Sequence, residues 1–113
     1  MHEIGVLYEA VKAVENVAVQ NNISKVKQIT LEVGELTGYL PVFFEKYFSV
    51  VTDGKEMFKD CELEIIIENG EGLCTDCHAL YNVMKHEGKC PKCESRNKTI
   101  LSGQQFRVKD ISY

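Results

Sequence analysis

The stretch CTDCHALYNVMKHEGKCPKC, at residues 74–93, decides how this 113-residue chain is organised. It contains two C-x2-C pairs, Cys74 with Cys77 and Cys90 with Cys93, separated by 12 residues. Two residues between cysteines let both thiolates of a tight turn point at one ion, and two such turns complete a tetrahedral zinc site. Because sulfur would fill all four positions, we expect a structural zinc rather than a catalytic one.

Other chemistry is open to the same cysteines. A pair of disulfides or a redox dithiol is one alternative, although a reducing compartment disfavours it, and iron in a rubredoxin-like site is another. Few apolar residues between Leu73 and Ile100 could pack, so the segment is expected to be disordered without metal. His78 and His86 are open to three interpretations: spare zinc ligands, donors to a second metal, or solvated residues.

Two helices are predicted ahead of the cysteine segment. Apolar residues recur at steps of three and four between residues 3 and 20, which is typical of an amphipathic helix. Pro41 suits the first turn of a second helix. The inner sides of these helices are predicted to carry Ile4, Leu7, Tyr8, Val11, Val14 and Ala18 in the first, and Phe44, Tyr47, Phe48 and Val51 in the second.

Three runs of alternating polarity predict strands. The first covers residues 27–33, and the third begins near Phe106. The second covers residues 61–67, with Cys61, Leu63, Ile65 and Ile67 facing inward and Cys61 as a buried free thiol. Carboxylates line the outer face of the second strand and cations that of the third, so we expect these two to pair. The predicted fold is α+β, with two helices packed on a three-stranded mixed or antiparallel sheet and a four-cysteine zinc-ribbon-like insertion between the second and third strands.

Length and charge limit the classes of protein to consider. A chain of 113 residues holds one modest core plus a metal-stapled appendage, so we predict an α+β domain over residues 1–69 plus 103–113 and a zinc-binding domain over residues 70–102. The net charge of -4 disfavours nonspecific nucleic-acid binding. The apolar runs are too short for a membrane span, and the start lacks the features of a signal peptide, so a cytoplasmic location is expected.

The amino terminus, Met1-His2-Glu3, offers a second type of metal site. The α-amine of Met1, the deprotonated amide nitrogen of His2 and the His2 ring can chelate one ion, and Glu3 can add its amide nitrogen or its carboxylate. Nickel(II) and copper(II) favour tetragonal nitrogen sites, whereas zinc prefers a tetrahedron. A histidine at position 2 is also a common surface residue, so this chemistry alone leaves both interpretations open.

Four motifs together resemble one family: Met1-His2-Glu3-Ile4 opening a helix, residues 33–38 (VGELTG) after the first strand, the cysteine pairs with Pro91, and Ser102-Gly103 before the last strand. Over essentially its whole length the chain resembles the HypA/HybF family of hydrogenase nickel incorporation proteins. The chain departs from the family pattern at His78 and Glu94, where members often carry glycine.

The resemblance implies a nickel metallochaperone that delivers Ni(2+) to the large subunit of [NiFe]-hydrogenase with the GTPase HypB. It further implies nickel at Met1, His2 and Glu3, and Zn(2+) at Cys74, Cys77, Cys90 and Cys93.

Two other classes compete with a metallochaperone. A zinc-ribbon adaptor that binds protein or nucleic acid without transferring nickel would differ only at the terminus. An enzyme is disfavoured, because the sequence has no evident catalytic triad or phosphate-binding glycine loop and the zinc site is closed. The two-strand tether of the zinc segment would also allow a domain-swapped homodimer.

Overall fold

The computed structural model describes residues 2–113, and within them the secondary structure follows the predicted order. Short 3₁₀ turns cover Glu35–Thr37 and Glu56–Phe58. The helices and strands are α1 (Glu3–Gln20), β1 (Gln28–Gly34), α2 (Pro41–Val51), β2 (Glu62–Glu68), β3 (Glu71–Cys74), β4 (Leu80–Asn82), β5 (Lys98–Ile100) and β6 (Phe106–Ser112).

Both helices begin where the sequence predicts, and most of their apolar stripes are buried. The buried side chains are Leu7, Val11, Val14 and Ala18 of α1 and Phe44, Phe48 and Val51 of α2. The prediction is wrong for Ile4 and Tyr8, which are 45% and 50% exposed. These two residues lie on the flank of the stripe, because at 3.6 residues per turn they are rotated away from the line through Leu7 and Val11.

The larger sheet has the strand order β2-β1-β6. Main-chain N–H groups of Lys27 and Gly34 donate to the carbonyls of Ser112 and Gln105 at 2.7 and 2.8 Å, so β1 and β6 run antiparallel. Beside β2, the N–H of Glu62 donates to the carbonyl of Lys27 at 2.9 Å.

Further along the same pair of strands, the Thr30 hydroxyl donates to Glu64 at 3.1 Å, so β1 and β2 advance in the same direction. The sheet is therefore mixed. A helical crossover is what a parallel pair requires, and α2 supplies it.

The expected pairing of β2 with β6 is wrong, because β1 lies between them. Charged side chains of both outer strands instead find partners on the central strand. Arg107 of β6 donates its Nε to Glu32 of β1 at 2.8 Å, and Glu64 of β2 accepts the Thr30 hydroxyl. Because β1 carries the polar side chains Thr30 and Glu32, both outer strands find side-chain partners without pairing with each other.

Two further expectations for β2 are corrected by its position at a sheet edge. Ile67 was predicted to face inward but is 46% exposed. Cys61 precedes the strand and is half-buried rather than buried, and burial together with the neighbouring Glu62 carboxylate raises the pKa of its thiol. Alternation still puts Ile67 on the same face as Ile65, so its exposure comes from its place near the end of an edge strand.

The chain divides into two compact units. One comprises residues up to 32, 39–66 and 107–113, and the other residues 33–38 with 67–106. The second unit has its own antiparallel sheet of order β4-β3-β5, which the sequence did not predict. The predicted domains were defined by the metal that each would bind, not by compactness. The zinc-binding domain of residues 70–102 therefore stays a prediction. No helix within residues 2–113 is long and apolar enough to span a membrane.

Candidate metal centre

The first cysteine turn, Cys74 to Ala79, connects β3 to β4 and is closed by two main-chain hydrogen bonds. The N–H of His78 donates to the carbonyl of Cys74, and the N–H of Cys74 donates to the carbonyl of Ala79, both at 2.9 Å. These two hydrogen bonds hold the ends of the turn together. The residues between them form a tight loop whose main-chain N–H groups can be directed at the cysteine sulfurs.

The second cysteine turn, Cys90 to Ser95, repeats this pattern. The N–H of Glu94 donates to the carbonyl of Cys90 at 2.8 Å, and the N–H of Cys90 donates to the carbonyl of Ser95 at 2.9 Å. The duplicated C-x2-C spacing therefore produces two turns of the same local geometry, as the sequence predicted.

Both turns require a left-handed residue directly after the second cysteine. His78 has φ 63° and Glu94 has φ 67°, in the region that glycine occupies most easily. Neither position is a glycine in this chain, and both turns form nevertheless. Each side chain costs roughly 1 kcal/mol there, since Cβ approaches the following carbonyl oxygen.

The two turns bring all four sulfurs together. The Sγ atoms of Cys74 and Cys93 are 3.5 Å apart, those of Cys77 and Cys90 are 3.6 Å apart, and all four lie within 4.8 Å of one another. A tetrahedron with zinc–sulfur bonds of about 2.3 Å places its sulfurs about 3.8 Å apart. The donor set and its spacing therefore fit a closed, four-thiolate metal site.

Main-chain N–H groups directed at two of the sulfurs favour their ionised form. Those of Cys93 and Lys92 lower the pKa of Cys90 to about 7, and that of Cys77 is the main cause of the lowered pKa of Cys74. These N–H groups belong to the same tight turns. The turn geometry thus stabilises thiolates as well as positioning them.

The thiol of Cys93 shows that ionising one sulfur becomes harder when four thiols lie close together. The Ser95 N–H lowers the pKa of Cys93, but the neighbouring thiols, Cys74 first, and burial outweigh it and raise the value to about 12. Four adjacent anions repel one another unless a cation lies between them. A divalent ion that accepts all four thiolates would remove this repulsion.

Asp76 links the first cysteine turn to the chain that leaves the second. Its carboxylate accepts hydrogen bonds from the Ser95 hydroxyl and, at 3.2 Å, from the Asn97 side chain. The N–H of Thr75 also donates to the carbonyl of Asn97 at 3.1 Å. The Ser95 hydroxyl is the main cause of the lowered pKa of Asp76. Sequence reasoning missed this brace, because isolated polar residues beside cysteines match no motif.

A small apolar cluster surrounds the sulfurs. Tyr81 is buried with Cys74 and Cys90, and Val83 packs against them. Two other residues that could have packed here, Leu80 and Met84, are 66% and 56% exposed.

Neither histidine of the cysteine segment belongs to the ligand group formed by the four cysteines. His78 is exposed, and the ring of His86 lies edge-on to Tyr81 with centroids 6.2 Å apart.

The predicted nickel-binding terminus is described from His2 onwards, and Met1 lies outside the described residues. His2 is exposed and directly precedes α1. Its carbonyl accepts the N–H of Val6 at 3.1 Å, which closes the first helical turn. The main-chain nitrogens of His2 and Glu3 therefore come before the helical ladder begins.

Glu3 differs from His2 in being buried, with 4% of its surface exposed. Its carboxylate accepts the main-chain N–H of Leu40 at 3.0 Å, and this hydrogen bond is the main cause of the lowered pKa of Glu3. Leu40 is the residue that caps α2. The carboxylate of Glu3 thus joins the start of α1 to the start of α2.

Fold and site together define a small α+β protein whose insertion carries a zinc-ribbon-like, four-cysteine metal site. A family model described as hydrogenase/urease nickel incorporation, metallochaperone, hypA matches residues 1–113. The chain belongs to this family of nickel metallochaperones, which confirms the resemblance seen in the sequence.

Individual relatives agree with the family assignment. The hydrogenase maturation factor HypA of Trichodesmium erythraeum (strain IMS101) is 33% identical over 111 residues, covering 98% of this chain and 94% of the relative. That of Dechloromonas aromatica (strain RCB) is 32% identical, with 98% and 97% covered. The solution structure of the Ni metallochaperone HypA from Helicobacter pylori matches with a TM-score of 0.68 and 26% identity, covering 98% of this chain and 96% of that one.

Replacing His78 with glycine should stabilise the first cysteine turn. His78→Gly relieves the left-handed conformation and should raise the free energy of unfolding by about 1 kcal/mol. Denaturant unfolding at a fixed free zinc concentration measures the change. Thr75→Gly is the matched control, because Thr75 lies in the same turn but is not among the residues with positive φ, and it should destabilise instead. A loss of stability in His78→Gly would contradict the argument.

The hydrogen bond between Glu3 and Leu40 predicts a pH-dependent stability. The pKa of Glu3 is below its ordinary value of 4.5, so its contribution is present above that pH and is lost as the pH falls through the lowered value. Glu3→Gln should therefore be less stable than the natural chain at pH 7, and the gap should close below about pH 4.5. Unfolding curves at several pH values test this. Glu9→Gln, at an exposed position of α1, should change the unfolding free energy little.

Proposed function

We propose that this chain is a cytoplasmic nickel metallochaperone for the maturation of [NiFe]-hydrogenase. In this proposal it binds Ni(II) at its amino terminus and delivers the ion to the hydrogenase large subunit, acting with the GTPase HypB. The observation that carries the proposal is the match of residues 1–113 to a nickel incorporation family. The relatives from T. erythraeum and D. aromatica, both hydrogenase maturation factors, support the choice of client.

Zinc is proposed as the resident metal of Cys74, Cys77, Cys90 and Cys93, within a zinc-binding domain of residues 70–102. Support comes from the sulfur spacing and from the N–H groups that favour thiolates. A bound zinc ion would join the two cysteine turns covalently through sulfur. With all four positions occupied by thiolates, none remains for water or substrate, which suits a structural role.

Nickel is proposed as cargo, held by Met1, His2 and Glu3 in the domain formed by residues 1–69 and 103–113. His2 is exposed, and its main-chain nitrogen precedes the helical ladder, so its deprotonation would break no helical hydrogen bond. The carboxylate of Glu3 already accepts the N–H of Leu40. This favours the amide nitrogen of Glu3, rather than its carboxylate, as the fourth donor.

The exposure of His2 also suits transfer. A chelate at a chain terminus is open on one side, so an acceptor can replace its donors one at a time. The His2 ring and the terminal amine bind a metal ion only when deprotonated, so protons compete with nickel and acidification should favour release.

A zinc-ribbon adaptor without nickel transfer is the second candidate. Exposed apolar side chains within residues 70–102, those of Leu80, Met84 and Leu101, favour it as a protein-binding module.

Nickel binding separates the two candidates. Calorimetry with Ni(II) should show one tight site on the natural chain, and at least about tenfold weaker binding for His2→Ala, which removes the ring nitrogen of the chelate. A chain extended by several residues ahead of Met1 should lose the site in the same way, because its free amine is moved. Ala13→Ser, an exposed change on α1, is the matched control. Undiminished affinity in the first two variants would exclude the terminal chelate.

Zinc binding is tested separately. Mass spectrometry under native conditions should find one zinc per chain, and Cys90→Ser should lose it, because a hydroxyl is a poor substitute for a buried thiolate. Cys61→Ser should keep its zinc, since Cys61 lies outside the four-cysteine group. Iron in place of zinc, or a fully folded chain without metal, would contradict the proposal.

A further inference from the structure

The β3–β4 hairpin is held at both of its ends. The first cysteine turn joins the strands at one end. At the other end the Glu35 side chain lies between the two strands, where its Oε1 accepts the main-chain N–H of Gly70 at 2.7 Å and the side-chain amide of Asn82 at 3.0 Å. One carboxylate oxygen thus bridges the start of β3 and the end of β4.

Glu35 is itself fixed by the segment that carries it. The N–H of Leu36 donates to the carbonyl of Gly103, and the N–H of Gly34 to that of Gln105, both at 2.8 Å. A Cβ added at Gly34 would lie 2.1 Å from the carbonyl oxygen of Gly103, so the two backbones touch and only glycine fits there. The carboxylate therefore sits on a support that has little freedom to move.

The residues that Glu35 binds are coupled to the sulfurs through the hairpin. The hairpin register pairs Glu71 with Asn82, then Gly72 with Tyr81, and Tyr81 is buried against Cys74 and Cys90. The carbonyl of Gly70 also accepts the main-chain N–H of Val83, the residue after β4, at 2.8 Å. A shift of Asn82 along β4 would thus displace Tyr81, which packs against Cys74 at the end of the same hairpin and against Cys90.

We infer that Glu35 is a positioning residue for the metal site, which sets the first cysteine turn by clamping the opposite end of its hairpin. The inference rests on the proposed zinc site. The N–H of Gly70 and the amide of Asn82 lower the pKa of Glu35, which keeps the carboxylate ionised and the clamp closed at neutral pH. The sequence alone hides this role, because Glu35 lies 39 positions before Cys74.

The geometry makes the effect one-sided. Cys74 ends β3 and the first cysteine turn leads into β4, whereas Cys90 and Cys93 lie outside both strands. Loss of the Glu35 clamp should therefore loosen the first cysteine turn, which is continuous with both strands, much more than the second, which meets the hairpin through the packing of Tyr81 on Cys90. A general loss of stability would loosen both turns equally, so the two explanations can be told apart.

Amide hydrogen exchange of the zinc-loaded full chain tests the inference by NMR. In Glu35→Ala, the N–H groups of Cys74 and His78 should exchange about tenfold faster, as expected when a hydrogen bond to a charged group is lost, while those of Cys90 and Glu94 stay within about twofold. Glu35→Gln keeps an acceptor oxygen and should restore part of the protection. Zinc transfer to a chromogenic chelator should accelerate in the same order.

Glu87→Ala is the matched control, because it removes an exposed carboxylate from the same unit that is not among the groups bound to Gly70, Asn82 or Gly103. It should leave the difference between the two turns unchanged. Equal acceleration at both turns in Glu35→Ala, or none at either, would overturn the inference while the zinc site itself still stood. A natural chain that held no zinc would instead overturn the proposed zinc site, and this inference with it.

Discussion

The convergence of four cysteine sulfurs is the constraint on which the unit of residues 33–38 and 67–106 depends. Its apolar cluster is small, with Tyr81 and two of the cysteines as its buried members. Three strands of three or four residues cannot bury enough surface to form a stable sheet alone. The two cysteine turns contain the paired main-chain hydrogen bonds, the residues with left-handed backbone and the N–H groups directed at sulfur. Local backbone geometry therefore contributes to the order of this unit, as a larger apolar core does in larger domains.

The amino-terminal end is organised by a different interaction. The buried carboxylate of Glu3 accepts the N–H of Leu40 and so ties the first residues of α1 to the cap of α2. His2, one residue earlier, is exposed. Two adjacent residues thus have separate tasks: Glu3 fixes where the helix begins, and His2 is left available at the surface. The proposed terminal chelate would benefit from this division, because a fixed helix start restrains the donor atoms ahead of it.

The incorrect prediction that β2 pairs with β6 shows what the sequence alone does not determine. The complementary charges that suggested it exist, and both strands form as predicted. Pairing, however, is a choice among several strands with similar alternation, and β1 offers polar partners, Thr30 and Glu32, to both neighbours. The exposure of Ile4 and Tyr8 is the corresponding case for helices. Periodicity predicts which side of a helix is apolar, but not how many residues on that side other elements will bury.

The sequence by itself determined the features that depend on near neighbours. These are the helix starts at Glu3 and Pro41, the three main strands, the two cysteine turns and the family, because spacing, periodicity and local motifs carry that information. Tertiary structure alone decided the strand order, the brace from Asp76 and the position of Glu35 against Gly70 and Asn82. These contacts join residues about 20 to 75 positions apart, and no local pattern records which distant partner a single carboxylate will find.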